Sequence, residues 1–320
     1  MSAEIKHRPI SEWMKIFSDI YSEADKERNP EQIWIAIMAH ASSIGESIRT
    51  VSFEKLVDFA AHTFCWLVSF TNKCNTMEND VFSLKETFCG TVSLKYPFVC
   101  GHCYERTCIC DAAKMDKKDN KSAEYKKLLG IRKDILKSYE DYSIDTCLNM
   151  FNTIYGGRIH IQTLENIGFH FLEEVGEAAV AVRSLSQLKN IALDPSTGID
   201  ESFLKQISTI EGIVDSYERY LKKPIEYESR DPEMLKSRLV DAKMSLIIEI
   251  GDTYSWFCGI INKLASIMET ILNNPGKSLP DLDLEKKLGE LYINTKNEPH
   301  CPTCKSKPCK CVFFNTSPKV

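Results

Sequence analysis

IGFHFLEEVGEAAVAV, residues 167–182, is the stretch from which both the fold and a candidate site are inferred. It reads as an apolar helix rich in small residues that carries Glu173, Glu174 and Glu177. Glu174 and Glu177 are three residues apart, so they project from one face of a helix. Because burying unpaired carboxylates costs free energy, the pattern predicts a partner for these groups, and a cation is an obvious one.

A second acidic pair lies far downstream, in SLIIEIGDTYSWF at residues 245–257. Glu249 and Asp252 are again three residues apart in an apolar helix pattern, so we expect two facing helices that hold a metal ion between them. Carboxylates without a matching His or Cys favour Mg²⁺ or Mn²⁺, and four or five of them have room for two or more ions. The alternative is that each acidic pair is a solvated helix face.

The composition indicates one large or two ordinary helical domains. The chain has 320 residues, of which 43% are apolar, and it is poor in Gly and Pro. Its net charge of −5 argues against a nucleic-acid partner. The first residues, MSAEIKHRPISEW, lack the apolar core of a signal peptide, and no uncharged run is long enough to span a membrane. We therefore expect a cytoplasmic protein with no membrane partner.

Eight of the thirteen cysteines form two clusters with the same spacing, C-x2-C-x4-C-x-C. Four thiolates at such spacing in a chain without a signal peptide favour tetrahedral structural zinc over disulfides. A nucleic-acid-binding knuckle is the functional alternative, although the interleaved aromatics of strand-binding proteins are missing. The predicted zinc ligands are Cys100, Cys103, Cys108 and Cys110 at one site and Cys301, Cys304, Cys309 and Cys311 at the other.

The chain also repeats itself, which predicts an ancestral duplication. IFSDIY at residues 16–21 matches MFNTIY at 150–155, and Trp66 with its following Asn-Lys matches Trp256 with its own. Lys95 and Lys296 each precede a Cys cluster by five residues. The predicted parts are a degenerate unit at residues 1–112, a charged helical connector at 113–141, and an acid-complete unit at 142–320 with an insertion at about 184–240.

The register of this repeat places Ser43 at Glu174, Glu46 at Glu177, Phe59 at Glu249 and His62 at Asp252. The first unit has therefore kept one acid, and only the second has a complete set. His62 at an Asp position is interpreted as a core histidine. We expect Ser11 to cap a first helix over residues 11–27, followed by helices at 31–49, from 52, around 80–90, 122–140 and 201–222.

The two acidic pairs, the Trp and Asn-Lys that follow, and the Cys cluster resemble the all-α nucleoside triphosphate pyrophosphohydrolases, the MazG-like and dimeric dUTPase-like superfamily. The resemblance implies an all-α fold of two tandem four-helix-bundle units, each ending in a small four-cysteine zinc knuckle. It also implies a single-chain pseudo-dimer in which the first unit is a scaffold, and it allows a homodimer of such chains.

The resemblance implies Mg²⁺-dependent cleavage of an NTP or dNTP to a nucleoside monophosphate and pyrophosphate in the second unit. Glu173 would be a further ligand or would position the water, Asn262 would contact the base or sugar, and Lys263 a phosphate. The alternatives are an inactive nucleotide sensor or interaction module and, as a weaker reading, a zinc-dependent nucleic-acid adaptor. The implied Mg²⁺ ligands are Glu174, Glu177, Glu249 and Asp252.

Overall fold

The fold of the described residues is all-α, as predicted. No strand occurs among them, only isolated bridges between Pro9 and Ser143 and between Ile293 and Pro299. Within the same residues, no helix is both long and apolar enough to cross a membrane. The computed structural model describes residues 8–77, 80–84, 88–101, 103, 105–110, 142–192, 194, 197, 199, 201–207, 232–272 and 283–311.

Most of the described helices correspond to predicted ones with shifted boundaries, whereas those at Ile144–Ile161 and Leu284–Tyr292 were not individually predicted. The described helices are α1 (Ile10–Lys26), α2 (Pro30–Arg49), α3 (Phe53–Thr76), α4 (Phe88–Lys95), α5 (Ile144–Ile161), α6 (Leu164–Ala192), α7 (Glu201–Gln206), α8 (Pro232–Leu272) and α9 (Leu284–Tyr292). The predicted connector helix at 122–140 lies outside the described residues, as does the predicted insertion helix beyond residue 207.

Local capping explains the start of α2 but not that of α1. The Asn29 side chain accepts a hydrogen bond from the Gln32 N–H, and the Gln32 side chain accepts one from the Asn29 N–H. Pro30 occupies the first turn, so three favourable N-terminal features coincide. The prediction of Ser11 as the cap of α1 was wrong, because that helix begins at Ile10 after Pro9 without a side-chain cap. Burial of the apolar stripe containing Trp13 and Phe17 stabilises α1 instead.

One continuous hydrophobic core includes residues of both halves of the chain. The first half comprises the described residues between 8 and 110, and the second half those between 142 and 311. The long helices α6 and α8 pack on each other, α2 packs on α3, and α2 also packs on α6 across the two halves. The Trp34 indole N–H of α2 donates to the Val175 carbonyl of α6 at 3.0 Å. Two separately packed four-helix bundles are therefore not confirmed.

The last helix and the Cys cluster of each half pack on the other half. α4 packs on α8, and α9 packs on α3. The Cys108 N–H donates to the Ile154 carbonyl at 2.7 Å, and the Cys309 N–H donates to the Ile20 carbonyl at the same distance. The two halves are thus joined by a reciprocal exchange of their C-terminal segments.

Equivalent contacts recur in the two halves and support the duplication. The Asn72 amide donates to the Met14 carbonyl at 2.8 Å, and the Asn262 amide donates to the Leu148 carbonyl at 3.0 Å. Tyr292 lies edge-on to Phe17 with ring centroids 5.1 Å apart, and Tyr96 lies edge-on to Phe151 at 5.2 Å. Tyr96 and Tyr292 are therefore structural equivalents.

This equivalence corrects one part of the sequence comparison. Lys95 directly precedes Tyr96, so its counterpart is Leu291 rather than Lys296. Lys95 is 7% exposed, whereas Lys296 is exposed in the turn before the second Cys cluster. The shared five-residue spacing to the first cysteine does not mark equivalent positions.

The predicted insertion begins inside a helix. α6 continues to Ala192 and α8 begins at Pro232, so both helices extend beyond the stretches that carry the acids. Because α6 and α8 pack on each other directly, the long intervening segment does not keep the two acidic pairs apart.

Candidate functional site

Three of the predicted acids come together between α6 and α8. Carboxylate oxygens of Glu174, Glu177 and Glu249 lie within 4.8 Å of one another, close enough to share one cation. The three-residue spacing puts Glu174 and Glu177 on adjacent turns of α6, and Glu249 reaches them from the facing helix. Glu174 and Glu249 are half-buried, whereas Glu177 is exposed and lies at the open edge of the group.

The electrostatics of this acidic cluster, Glu174, Glu177 and Glu249, favour a positive ligand. Burial, followed by the charges of Asp252 and Glu249, raises the pKa of Glu174 to about 8. Burial and the charge of Asp252 likewise raise the pKa of Glu249 to about 7. Carboxyl groups with such raised pKa values repel one another when ionised, so a divalent cation among them relieves both the repulsion and the desolvation.

Asp252 lies beside the acidic cluster but has other partners. The Lys95 ammonium forms an ion pair with Oδ2 of Asp252, and the Tyr96 hydroxyl donates to Oδ1. Lys95 is the last residue of α4 and Tyr96 follows it, in the other half of the chain. Asp252 is therefore not one of the acids whose carboxylate oxygens lie close enough together to share one cation.

Glu173 lies outside the acidic cluster, on the solvent side of α6. Its side chain is 60% exposed, and its Oε2 lies 3.2 Å from Nδ1 of His170. His170 in turn stacks on Trp256 with ring centroids 4.5 Å apart. These contacts give Glu173 a surface environment that differs from that of its neighbour Glu174.

A groove between α6 and α8 opens next to the acidic cluster. Its volume is about 460 Å³, and Glu177 and Glu249 contribute to its wall. Small side chains predominate along the rest of the groove, which leaves space for a ligand beside the acids. The other lining residues are Val180, Ala181, Ser184, Asp241, Ala242 and Ser245.

Asn262 and Lys263, the predicted nucleotide contacts, link helices of the second half. Asn262 donates to the Leu148 carbonyl, as described above, and the Lys263 ammonium donates to the His160 carbonyl at 3.0 Å. The equivalent Lys73 ammonium donates to the Asp25 carbonyl at 2.7 Å, in the half without the acids. A contact made in both halves supports a structural role, and the nucleotide contacts stay predictions.

The first half has no counterpart of the acidic cluster among its described residues. Glu46, the one acid in register, is exposed and paired with Arg49 at 2.6 Å. His62, in register with Asp252, has its Nδ1 2.8 Å from the Tyr292 hydroxyl and stacks on His40 at 5.2 Å. Burial, followed by the charge of His62, lowers the pKa of His40 to about 4, so His40 is neutral near pH 7. The interpretation of His62 as a core histidine agrees with these contacts.

Each predicted set of four zinc-ligand cysteines comes together in the structure. The four sulfur atoms of each set lie within 4.8 Å of one another, and no disulfide joins any of these eight described cysteines. Cys100 and Cys108 sulfurs are 3.5 Å apart, as are those of Cys301 and Cys309. Tetrahedral zinc with Zn–S bonds of about 2.3 Å requires sulfurs about 3.8 Å apart, so both sets fit the ion.

Sequence reasoning missed Lys95 and Tyr96 as neighbours of the acids. Both lie more than 150 positions before Asp252 in the chain, and they reach it only because α4 packs on the opposite half. The spacing of Lys95 from Cys100 gave a misleading register. The repeated contact of a tyrosine with Phe17 or Phe151 is visible only in three dimensions.

Comparison with known proteins leaves the family open: no protein-family model matches this chain, and no similar curated protein or solved structure was found.

Proposed function

We propose that this chain is a Mg²⁺-dependent nucleotide pyrophosphohydrolase that cleaves an NTP or dNTP to a nucleoside monophosphate and pyrophosphate. The observation that carries the proposal is the convergence of Glu174, Glu177 and Glu249 beside a groove of about 460 Å³. Two helices whose acids are distant in sequence contribute to this cluster, which supports the metal site expected from the spacing of the acids.

The acidic cluster would hold the cation, and the groove would hold the nucleotide. Mg²⁺ bound there would neutralise phosphate charge and lower the pKa of a bound water. Glu177, at the open edge, faces the space that a phosphate chain would enter. The half-buried Glu174 and Glu249 would fix the ion from both helices, since each is held by a packed helix backbone.

The first half would act as a scaffold of a single-chain pseudo-dimer derived from MazG-like units. The equivalent contacts of Asn72 and Asn262 and the exchange of α4 and α9 support this relationship. The two Cys clusters would each hold a structural zinc, because four cysteine ligands leave no open position for catalysis. Zinc would then fix each exchanged segment on the opposite half.

One observation favours a second function, a nucleotide-binding sensor without turnover. Asp252, an expected metal ligand, has both oxygens engaged by Lys95 and Tyr96. A site with one ligand withdrawn can hold a metal–nucleotide complex without activating water. This alternative predicts tight binding of a nucleotide and no product.

Pyrophosphate release tests the proposal directly. Purified, zinc-loaded protein with Mg²⁺ is screened against a panel of NTPs and dNTPs, and we expect release from at least one of them. Glu174→Gln and Glu249→Gln should abolish the release, because each removes a charged ligand from one of the two helices.

The duplicated register supplies matched controls. Glu46→Gln and Ser43→Ala change the positions equivalent to Glu177 and Glu174 in the half without the cluster, so both should leave the activity at the wild-type level. Activity that survives both Glu174→Gln and Glu249→Gln would refute the site, whereas binding without turnover would favour the sensor.

A further inference from the structure

A buried lysine from one half of the chain reaches the acidic cluster of the other half. Lys95 is 7% exposed and forms an ion pair with Asp252, whose side chain is 13% exposed. A buried ammonium without a partner would be costly, so the negative charge of Asp252 and of the nearby Glu174 and Glu249 stabilises Lys95 in this position. Its positive charge also acts on Glu174 and Glu249.

Two donors occupy the two oxygens of Asp252. Lys95 is paired with Oδ2, and the Tyr96 hydroxyl donates to Oδ1. Charge-assisted hydrogen bonds of this kind are the strong ones, and each is held within a buried environment. The adjacent ammonium neutralises Asp252 and so weakens its attraction for a cation, and Asp252 lies outside the group of acids whose carboxylate oxygens are within 4.8 Å of one another.

The end of α4 is fixed in this position by several contacts. Tyr96 packs edge-on to Phe151, and the Cys108 N–H downstream donates to the Ile154 carbonyl of α5. Gly101 lies so close to Lys95 that a Cβ there would be 3.1 Å from its Cγ. Packed residues on both sides of Lys95 thus hold its ammonium in place, unlike the ammonium of a mobile lysine at the surface.

The other half shows that the lysine occurs together with the acids. The residue equivalent to Lys95 is Leu291, which packs against the core, and the residue equivalent to Asp252 is His62. The tyrosine occurs in both halves, and its hydroxyl contacts the equivalent residue in each, Asp252 or His62, so it does not mark the acid-bearing half. The charged pair occurs only in the half that has the acidic cluster.

We propose that Lys95 takes the place of a second metal ion, so that the site binds a single divalent cation at Glu174, Glu177 and Glu249. Lys95 is a positioning residue in this proposal: its ammonium neutralises Asp252 and keeps that carboxylate out of the coordination shell. The inference deepens the proposed function and rests on it in taking the acidic cluster as a cation site.

Counting bound Mn²⁺ tests the inference without measuring turnover. Titration of the zinc-loaded chain with Mn²⁺, followed by calorimetry and by the paramagnetic resonance signal of free Mn²⁺, should give one ion per chain. Glu177→Gln should weaken this binding at least tenfold, and Glu46→Gln should leave it unchanged. Two or more ions in the wild-type chain would overturn the inference.

Two variants of the Lys95–Asp252 pair test whether Asp252 serves only as the partner of Lys95 or is itself a metal ligand. Lys95→Met releases Asp252 from its ion pair and should admit a second Mn²⁺. Lys95→Met combined with Asp252→Asn removes the pair without changing the net charge, and it should bind one Mn²⁺ with a dissociation constant within threefold of wild type. A tenfold or greater loss of affinity in the double variant would identify Asp252 as a ligand and overturn the inference.

These outcomes distinguish this inference from the proposed function. A chain that binds one Mn²⁺ and responds as expected to both variants, but releases no pyrophosphate, would contradict only the proposed function. A chain that releases pyrophosphate and binds two Mn²⁺ would contradict only the role of Lys95. If Lys95→Met alone does not fold, the wild-type count and the charge-neutral double variant still decide.

Discussion

Replacing Glu174 with Gln should stabilise the metal-free protein at high pH and leave its stability at low pH almost unchanged. In the folded chain, burial and the neighbouring carboxylates raise the pKa of Glu174 from 4.5 to about 8. The folded state therefore binds this proton more tightly than the unfolded state does. The stability that the protonated Glu174 carboxyl contributes is fully present below about pH 4.5 and is lost as the pH rises towards 8.

The size of the effect follows from the pKa change and the partial exposure of the side chain. A full rise from 4.5 to about 8 would correspond to roughly 4–5 kcal/mol. Because Glu174 is only half-buried and shares its proton with Glu249, screening reduces the expected gain to about 1–2 kcal/mol at pH 8. For a chain of this size that is a rise in Tm of roughly 2–6 °C.

Thermal unfolding followed by circular dichroism at pH 5, 6, 7 and 8 measures this effect. The buffers are stripped of divalent cations by resin rather than by a soluble chelator, which would also remove zinc from the cysteines. Mg²⁺ should raise the wild-type Tm more at pH 8 than at pH 6 and should have little effect on Glu174→Gln. The exposed Glu173→Gln is the matched control.

Two results would refute this reasoning. One is a difference in Tm between Glu174→Gln and wild type that stays constant from pH 5 to pH 8. The other is a stabilisation by Glu173→Gln as large as that by Glu174→Gln, which would mean that general surface charge, and not the acidic cluster, causes the effect.

Two further predictions concern the framework around the site. Asn262→Ala should lower the free energy of unfolding, measured in urea, by about 1–2 kcal/mol, because the Leu148 carbonyl loses its donor. Asn72→Ala should have the same effect in the first half. A loss of Mn²⁺ affinity in Asn262→Ala alone would instead indicate a contact with the ligand. Elemental analysis should find two zinc ions per chain. The double variant Cys103→Ser, Cys304→Ser should lose both zinc ions and much of the thermal stability. Retention of zinc by this variant would contradict the two four-cysteine sites.

Much of the fold could be predicted from local signals. Sequence patterns predicted most of the helices, and the helix predicted at 31–49 differs from α2 by a single residue at its start. The spacing of the cysteines was sufficient for both clusters, since all four ligands of each set lie within a few residues of one another. These features depend on neighbours in sequence, where spacing alone constrains geometry.

The candidate site was predictable only in part. The three-residue spacing put Glu174 and Glu177 on one face, and the apolar surroundings of Glu249 indicated that it faces another helix. The contact of Lys95 with Asp252 was not predictable, because it depends on which half α4 packs against. The exchange of segments leaves no mark on hydrophobic periodicity.

The assignment of Asn262 and Lys263 shows a different limit of sequence reasoning. Their position after the acidic helix turn fits the resemblance, but both side chains donate to backbone carbonyls of α5. Asn72 and Lys73 make the equivalent bonds on α1. A repeated Asn-Lys pair was thus compatible with binding and with helix packing, and the sequence contained nothing to separate the two.

The most direct test of the central claim is pyrophosphate release by the zinc-loaded wild-type chain with Mg²⁺, measured beside Glu249→Gln and Glu46→Gln. We expect release from at least one NTP or dNTP, loss of release in Glu249→Gln, and wild-type release in Glu46→Gln. Equal release by all three proteins, or no release by any of them across the full panel, would contradict the assignment of a catalytic cation to the acidic cluster.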